Sequence, residues 1–211
     1  MKVVFDARWI FDELSGVGIY AMELLRQLSR IDKQNLYVVI FENKELMKRM
    51  HCEVEFRSNS NFEFVVVPYG LFSFKNQLFL PLFLKKTGAD VYHSPNYMIP
   101  FMAFPRRKVH RIACVVTVHD VIPLVLPAHA PRSRKSRLFF LYKLVMYEVG
   151  KRADAIIAVS NVSRSDILRY LHIPEGVSKK VRTIYNGVNE MFREAGMRRN
   201  VQKEAKESEK T

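Results

Sequence analysis

Three groups of residues in this chain have types and spacings suited to chemistry. The segment SGVGIYAMELL at 15–25 holds Gly16 and Gly18 just ahead of a helical pattern. Glycines at a helix start let a phosphate or a sugar hydroxyl come close to the unpaired N–H groups there; equally, they could serve only to permit a turn. His119 ends the apolar run IACVVTVH with Asp120 next to it, and imidazole is the side chain readiest to move protons near neutral pH. His93 closes ADVYH and could line a site or belong to the core. Arg8, in the loop after the first strand, could meet an anionic substrate or be an ordinary surface arginine.

Metal chemistry has little support. The six histidines are scattered, with no H-E-x-x-H and no cysteine cluster. Cys52 and Cys114 lie far apart, which argues against a disulfide framework and for a reducing compartment.

These residues need elements to position them. KVVFD at 2–6 reads as a short buried strand, and Val17, Ala21, Leu24, Leu28 and Ile31 form one apolar helical stripe. LYVVIF at 36–41 and FEFVVVP at 62–68 are further strands. FSFKNQLFLPLFLKKT at 72–87 has helical spacing but contains Pro81, so a kinked or two-part helix is expected. Its bulky face could enter a membrane interface, although packing on a sheet is the simpler reading. ADVYH, IACVVTVH and AIIAVS at 155–160 are strands, and RSRKSRLFFLYKLVMYEVGKRA at 132–153 is a long helix. Asn161 or Ser163 would cap the helix SRSDILRYL, Ser160 also reads most simply as a helix-capping residue, and VRTIYNG adds a last short strand and an Asn-Gly turn. Strands that alternate with helices and run as unbroken apolar blocks predict an α/β fold with a doubly wound, mostly parallel sheet. Ligands of such sheets collect at the carboxyl ends of strands, where Asp6, His93, His119, Ser160 and Asn186 fall. Residues 1–192 are expected to form the domain, and the charged stretch 193–211 a linker or disordered tail.

Charge narrows the partners. The 34 Lys and Arg against 21 Asp and Glu give +13, and residues 105–152 hold eleven of the basic side chains against Asp120 and Glu148 alone. The balance favours an anionic partner, though a solvated face would look the same.

SGVGIYAMELLRQL, ADVYHSPNY, VVTVHDVIPL, ADAIIAVSNVSRSDI and VRTIYNGVNEMF, in that order, resemble the successive motifs of the N-terminal half of the family 4 retaining glycosyltransferases. The resemblance runs from Lys2 to about Phe192 and implies one Rossmann-like half of a GT-B fold. It implies sugar transfer from a nucleotide-sugar donor to a glycan or lipid-linked acceptor. In that reading Gly16 and Gly18 match the loop that meets the donor phosphates and sugar, and Asn186 and Gly187 match the turn before the crossing into the second half. His119 and Asp120 match the residues beside the reacting sugar. Arg8, His93 and Asn96 are expected on the acceptor side. No metal or other cofactor is expected, because enzymes of this fold do not need one and the Asp-x-Asp signature of the other large glycosyltransferase fold is missing. The second, donor-binding domain would have to act in cis or in trans, and the chain alone is expected to be inactive or nearly so.

Two readings from other classes compete. A dinucleotide site needs its first glycine directly after the first strand, whereas residues 7–15 intervene between Asp6 and Gly16, although Glu42 lies near the end of the second strand. A nucleic-acid module would use the basic stretch with its interleaved Phe139, Phe140, Tyr142 and Tyr147, but no known nucleic-acid motif accompanies it. The lack of a signal peptide or spanning segment predicts a cytoplasmic protein. The same basic stretch would let it dock on an anionic membrane surface.

Overall fold

The computed structural model describes residues 1–11, 13, 15–53, 61–106, 112–127 and 139–187. Its seven strands are β1 (Lys2–Asp6), β2 (Leu36–Phe41), β3 (Phe62–Val66), β4 (Val91–Ser94), β5 (Ala113–Val118), β6 (Ala155–Ala158) and β7 (Val181–Thr183). Every pairing is parallel and the spatial order is β3-β2-β1-β4-β5-β6-β7. Connections run outward from β1 in one direction and from β4 in the other, so the switch point lies between those two strands. In open sheets of this kind the ligand crevice lies outside the carboxyl ends of the strands at such a switch point.

Parallel strands covered on both faces must be apolar on both, which is why β2 carries the buried run Tyr37 to Phe41 with no polar alternation. On one face, Phe5, Val39 and Phe41 pack against Ala21, Met22 and Leu25 of α1 (Gly16–Ile31) and Leu46 and Met50 of α2 (Lys44–Glu53). The other face packs Val4, Tyr92, Cys114, Val116 and Val118 against Leu80 and Leu84 of α3 (Phe74–Thr87). Met146 and Val149 of α5 (Phe139–Arg152) and Ile167 of α6 (Asn161–Tyr170) complete that face. The short α4 (Ile122–Val125) follows β5.

The expected architecture holds, with three local differences. The buried side of α1 is Gly18, Ala21, Met22, Leu25 and Ser29, while Ile31 is exposed. With Leu24 and Leu25 both apolar, only contact with the sheet selects the face. The helix α2 is not among the expected elements, although Leu46 and Met50 are one helical turn apart on its buried side. Pro81 sits inside one helix rather than dividing it, since the missing N–H costs a single bond while Leu80 and Leu84 are anchored at full burial. Of the capping candidates Ser160, Asn161 and Ser163 for α6, Ser160 holds the position, its Oγ accepting from the Ser163 amide at 3.0 Å. The expected helix start at 132–138, the tail 193–211 and the basic residues Arg107, Lys108, Arg111, Arg132, Arg134, Lys135 and Arg137 lie outside the described residues.

Candidate functional site

His119 is the first residue past β5, where the chain leaves the sheet at its carboxyl edge. Its Nε2 lies 3.0 Å from the carbonyl oxygen of Pro95, in the loop after the adjacent β4. A carbonyl can only accept, so Nε2 carries the proton and Nδ1 of the neutral ring keeps its lone pair. Burial lowers the pKa of the ring below its ordinary 6.5, against the opposing pull of the Pro95 carbonyl and the Asp120 carboxylate. The ring is therefore neutral at pH 7. Its backbone carbonyl is already taken, because Ser163 Oγ donates to it at 3.1 Å from the start of α6.

The edge of the ring meets Tyr20 of α1, with centroids 4.8 Å apart and planes at 86°. This contact ties His119 to α1, whose start faces the same carboxyl edge. Strand alternation sends Thr117 to the α1 face of the sheet. Its fully buried Oγ1 there lies 3.2 Å from Tyr20 Oη and 3.0 Å from His93 Nε2. His93 is 9% exposed, packs edge-on against Phe5 at 5.2 Å, and burial pushes its pKa down to about 4. It is a neutral interior support for Thr117 and Tyr20.

The cap of α1 is Ser15, whose Oγ accepts from the Gly18 amide at 3.1 Å, and whose carbonyl accepts from Ile19 at 2.9 Å. The Gly16 and Val17 amides have no partner among the described residues, so the positive end of a 16-residue helix is left open. Neither glycine has a positive φ. A Cβ at Gly16 would meet nothing within 4 Å, and one at Gly18 would make ordinary contacts of 3.5–3.7 Å with Ser15, Trp9 and Ile10. The fold demands neither glycine for a turn. The space beside Gly16 is open among the described residues.

Arg8 requires a correction, for it is 1% exposed and does not face the crevice. Its Nε and Nη2 donate to the two oxygens of Asp6 at 2.8 and 2.7 Å, Nη1 to the Tyr69 carbonyl at 3.1 Å, and Nη2 also to Asn76 Oδ1 at 2.9 Å. Burial alone would lower its pKa, but Asp6 reverses this and raises it. Tyr92 adds a 2.6 Å hydrogen bond to Asp6, so the cluster braces the turn that follows β1.

Asn96 is half-buried in the loop beside Pro95, its Oδ1 accepting from the Tyr97 amide at 2.8 Å. Asp120 is exposed and its Oδ1 accepts from the Ile122 amide at 3.0 Å, ahead of α4. Asn186 and Gly187 are exposed beyond edge strand β7, and no hydrogen bond ties them to the His119 group. Of the basic stretch, Arg106 and Arg152 both bind Glu148, with Arg152 Nε at 2.7 Å, and they hold its carboxyl down at about 2. Those two cations serve the fold. Tyr20, Thr117, Pro95 and Ser163 went unread as site residues. Only Tyr20, one turn after Gly16, carried a local signal.

Among the described residues no three His, Cys, Asp or Glu side chains are grouped to hold a metal ion, and no helix is long and apolar enough to cross a membrane.

The model of Glycosyltransferase Family 4 matches residues 14–191. Among curated proteins, the chain is 25% identical over 188 residues to O-antigen chain mannosyltransferase B of Escherichia coli, covering 82% of this chain and 45% of that protein. The chain thus spans about half the length of the curated relative it matches. Among solved structures, a glycosyltransferase from Rickettsia africae ESF-5 superposes with a TM-score of 0.49 at 16% identity, over 89% of this chain and 43% of the other. A ketone-specific alcohol dehydrogenase from Comamonas testosteroni gives 0.42 at 12% identity, over 96% and 93%.

Proposed function

Because the chain belongs to glycosyltransferase family 4, we propose that it forms the acceptor-side half of a retaining hexosyltransferase of the GT-B type. The sugar passes from a nucleotide-sugar donor to a glycan or lipid-linked acceptor. Mannose is the first sugar to try, since the curated relative is named a mannosyltransferase. A second, donor-binding half takes part in cis or in trans, a reading supported by the 45% share of that relative that this chain covers.

The observation that carries the proposal is the 4.8 Å contact between Tyr20 and His119, which supports a reading in which the start of α1 and a neutral imidazole act together at the carboxyl edge of the sheet. Cleavage of a glycosyl phosphate leaves negative charge on the diphosphate and positive character on the sugar. The free amides of Gly16 and Val17 and the helix dipole meet the first without a metal ion. Nδ1 of His119 accepts a hydrogen bond from a sugar or acceptor hydroxyl and orients it, while the Asp120 carboxylate favours whatever positive charge the ring takes on. Asn96, beside the same loop, offers its side-chain N–H groups to the acceptor. Asn186 and Gly187 lead the chain toward the donor half.

The test is sugar transfer by the enzyme with both halves present, comparing wild type with His119→Gln, which keeps a donor for the Pro95 carbonyl. A loss of about 100-fold or more in kcat at unchanged melting temperature is expected. Full activity in that variant removes His119 from the reaction, and multiple-turnover transfer by the pure 211-residue chain contradicts the division into halves.

A further inference from the structure

Among the described residues one buried side-chain nitrogen has no hydrogen-bond partner: Nε1 of Trp9, the only tryptophan in the chain. An indole N–H can only donate, and a buried donor left unpaired costs stability, so an orphan of this kind calls for a cause. Trp9 is 6% exposed and ends the single 3-10 turn Ala7–Trp9 that follows β1. The neighbouring Arg8 guanidinium is bound to Asp6. Trp9 instead joins Leu71 and Met98 in a small cluster of its own, against which Val17 and Tyr97 pack.

Several segments converge on this indole. Tyr97 belongs to the loop after β4, Phe72 to the turn ahead of α3, and Val17 to the first turn of α1. The Tyr97 and Phe72 rings stand edge-on to Trp9, with centroids at 5.6 and 5.8 Å. The Trp9 carbonyl lies 3.6 Å from where a Cβ on Gly18 would stand. The indole therefore sits at the switch point between β1 and β4, on the carboxyl side of the sheet, against the helix start whose Gly16 and Val17 amides are open. Phe72 is 63% exposed, and Phe11, 6.4 Å from the indole, is 41% exposed. Neither ring belongs to a packed cluster among the described residues, so either turns aside without unpacking the core.

We propose that Trp9 is a specificity-determining residue whose Nε1–H donates to an oxygen of an uncharged sugar ring of the acceptor. The C–H face of that sugar lies on the exposed rings of Phe11 and Phe72. The chemistry of the surroundings selects a saccharide: aromatic faces carry partial negative charge that attracts polarised sugar C–H groups, and one donor among apolar walls fixes the orientation. Phe72 turns away as the ligand enters, and the indole donor is satisfied only in the complex. Tyr97 directly follows Asn96, which makes this sugar the acceptor's rather than the donor's. That last step rests on the glycosyltransferase reading above; the saccharide site itself does not.

The test uses the single indole N–H as its own reporter. In a nitrogen–proton NMR spectrum of the 211-residue chain, that resonance should move downfield, saturably, with at least one of the methyl glycosides of mannose, glucose and galactose. It should stay in place with guanosine or uridine diphosphate. Trp9→benzothienylalanine keeps the two-ring shape and replaces the N–H by sulfur. In the enzyme with both halves it should raise the acceptor KM about tenfold or more, the worth of one hydrogen bond, while kcat and the donor KM hold. Its melting temperature should equal or exceed that of wild type, because an unpaired donor has gone. Trp9→Phe, which removes the same donor, should raise the acceptor KM in the same way. His119→Gln should keep the indole response, so failure of the sugar site and failure of the transfer mechanism are read separately. An indole resonance that no glycoside moves, one that a nucleoside diphosphate alone moves, or an unchanged acceptor KM in the sulfur variant would each overturn the proposal.

Discussion

Replacing Arg8 by Ala separates two roles that the residue could have had. An arginine lining the crevice would, when removed, weaken ligand binding and leave stability almost untouched. The structure instead buries both charges of the Arg8–Asp6 pair completely and joins them through bonds of 2.7 and 2.8 Å. Removing the guanidinium strands the Asp6 carboxylate with Tyr92 as its remaining side-chain donor, and frees the Tyr69 carbonyl and Asn76 Oδ1. Breaking one side of a buried pair costs about 3–5 kcal/mol, and that figure already contains much of the penalty for the stranded acceptors. Against a typical domain stability of about 5–15 kcal/mol, this is a large share. Urea denaturation followed by circular dichroism measures it, provided the m-value does not change. Arg8→Lys keeps the charge but cannot reproduce the two-pronged contact, and should fall between wild type and Ala. In a double-mutant cycle, Asp6→Leu with Arg8→Met should cost less than the two single changes together, because no lone charge remains buried. A loss below about 1 kcal/mol for Arg8→Ala, within the range of an exposed ion pair, would refute the assignment.

Gly16→Ala adds a Cβ that meets nothing within 4 Å and should leave the protein as stable or up to about 1 kcal/mol more so, while weakening transfer in the enzyme with both halves. A kinetic and denaturation comparison of the variant checks both parts, and unchanged kcat and KM would deny the glycine a role at the donor. Gly150→Ala should destabilise by about 1–3 kcal/mol in a thermal melt, because its Cβ would fall 2.9 Å from both Cβ and the carbonyl oxygen of Leu171 at the end of α6. For His93, burial holds the folded pKa near 4 against 6.5 unfolded, so between those values the unfolded chain binds more protons. Stability should therefore fall as pH drops from about 6.5 toward 4, by on the order of 3 kcal/mol from this residue. His93→Gln should flatten that part of the profile, and an NMR titration placing His93 near its ordinary pKa would contradict the argument.

Local pattern is what the amino-acid sequence makes legible. Apolar blocks such as LYVVIF announce strands buried on both faces, and their alternation with helices specifies a parallel sheet. The glycine pair in the first turn of α1 and the histidine after β5 are legible as residues suited to a site. Less legible were choices between equivalents. Leu24 and Leu25 compete for the inner side of α1, three polar residues compete to cap α6, and a histidine at the end of β4 looks the same in sequence as one past β5. The sheet settles the last case, since His93 still lies within its strand and is covered, while His119 stands one residue outside and meets Pro95 and Tyr20.

The chain's own order of residues determined the elements, the parallel α/β class and the strand ends where polar groups would gather, because these follow from side-chain period and backbone preference within a few residues. Only tertiary structure decided that Arg8 turns inward to Asp6, that Tyr20 and Thr117 connect two histidines, and that Leu80 and Leu84 rather than Leu78 and Leu82 form the buried side of α3. Each of those depends on groups tens of residues apart, or on a carboxylate and a guanidinium whose burial is favourable only when they meet, and no local pattern carries that information.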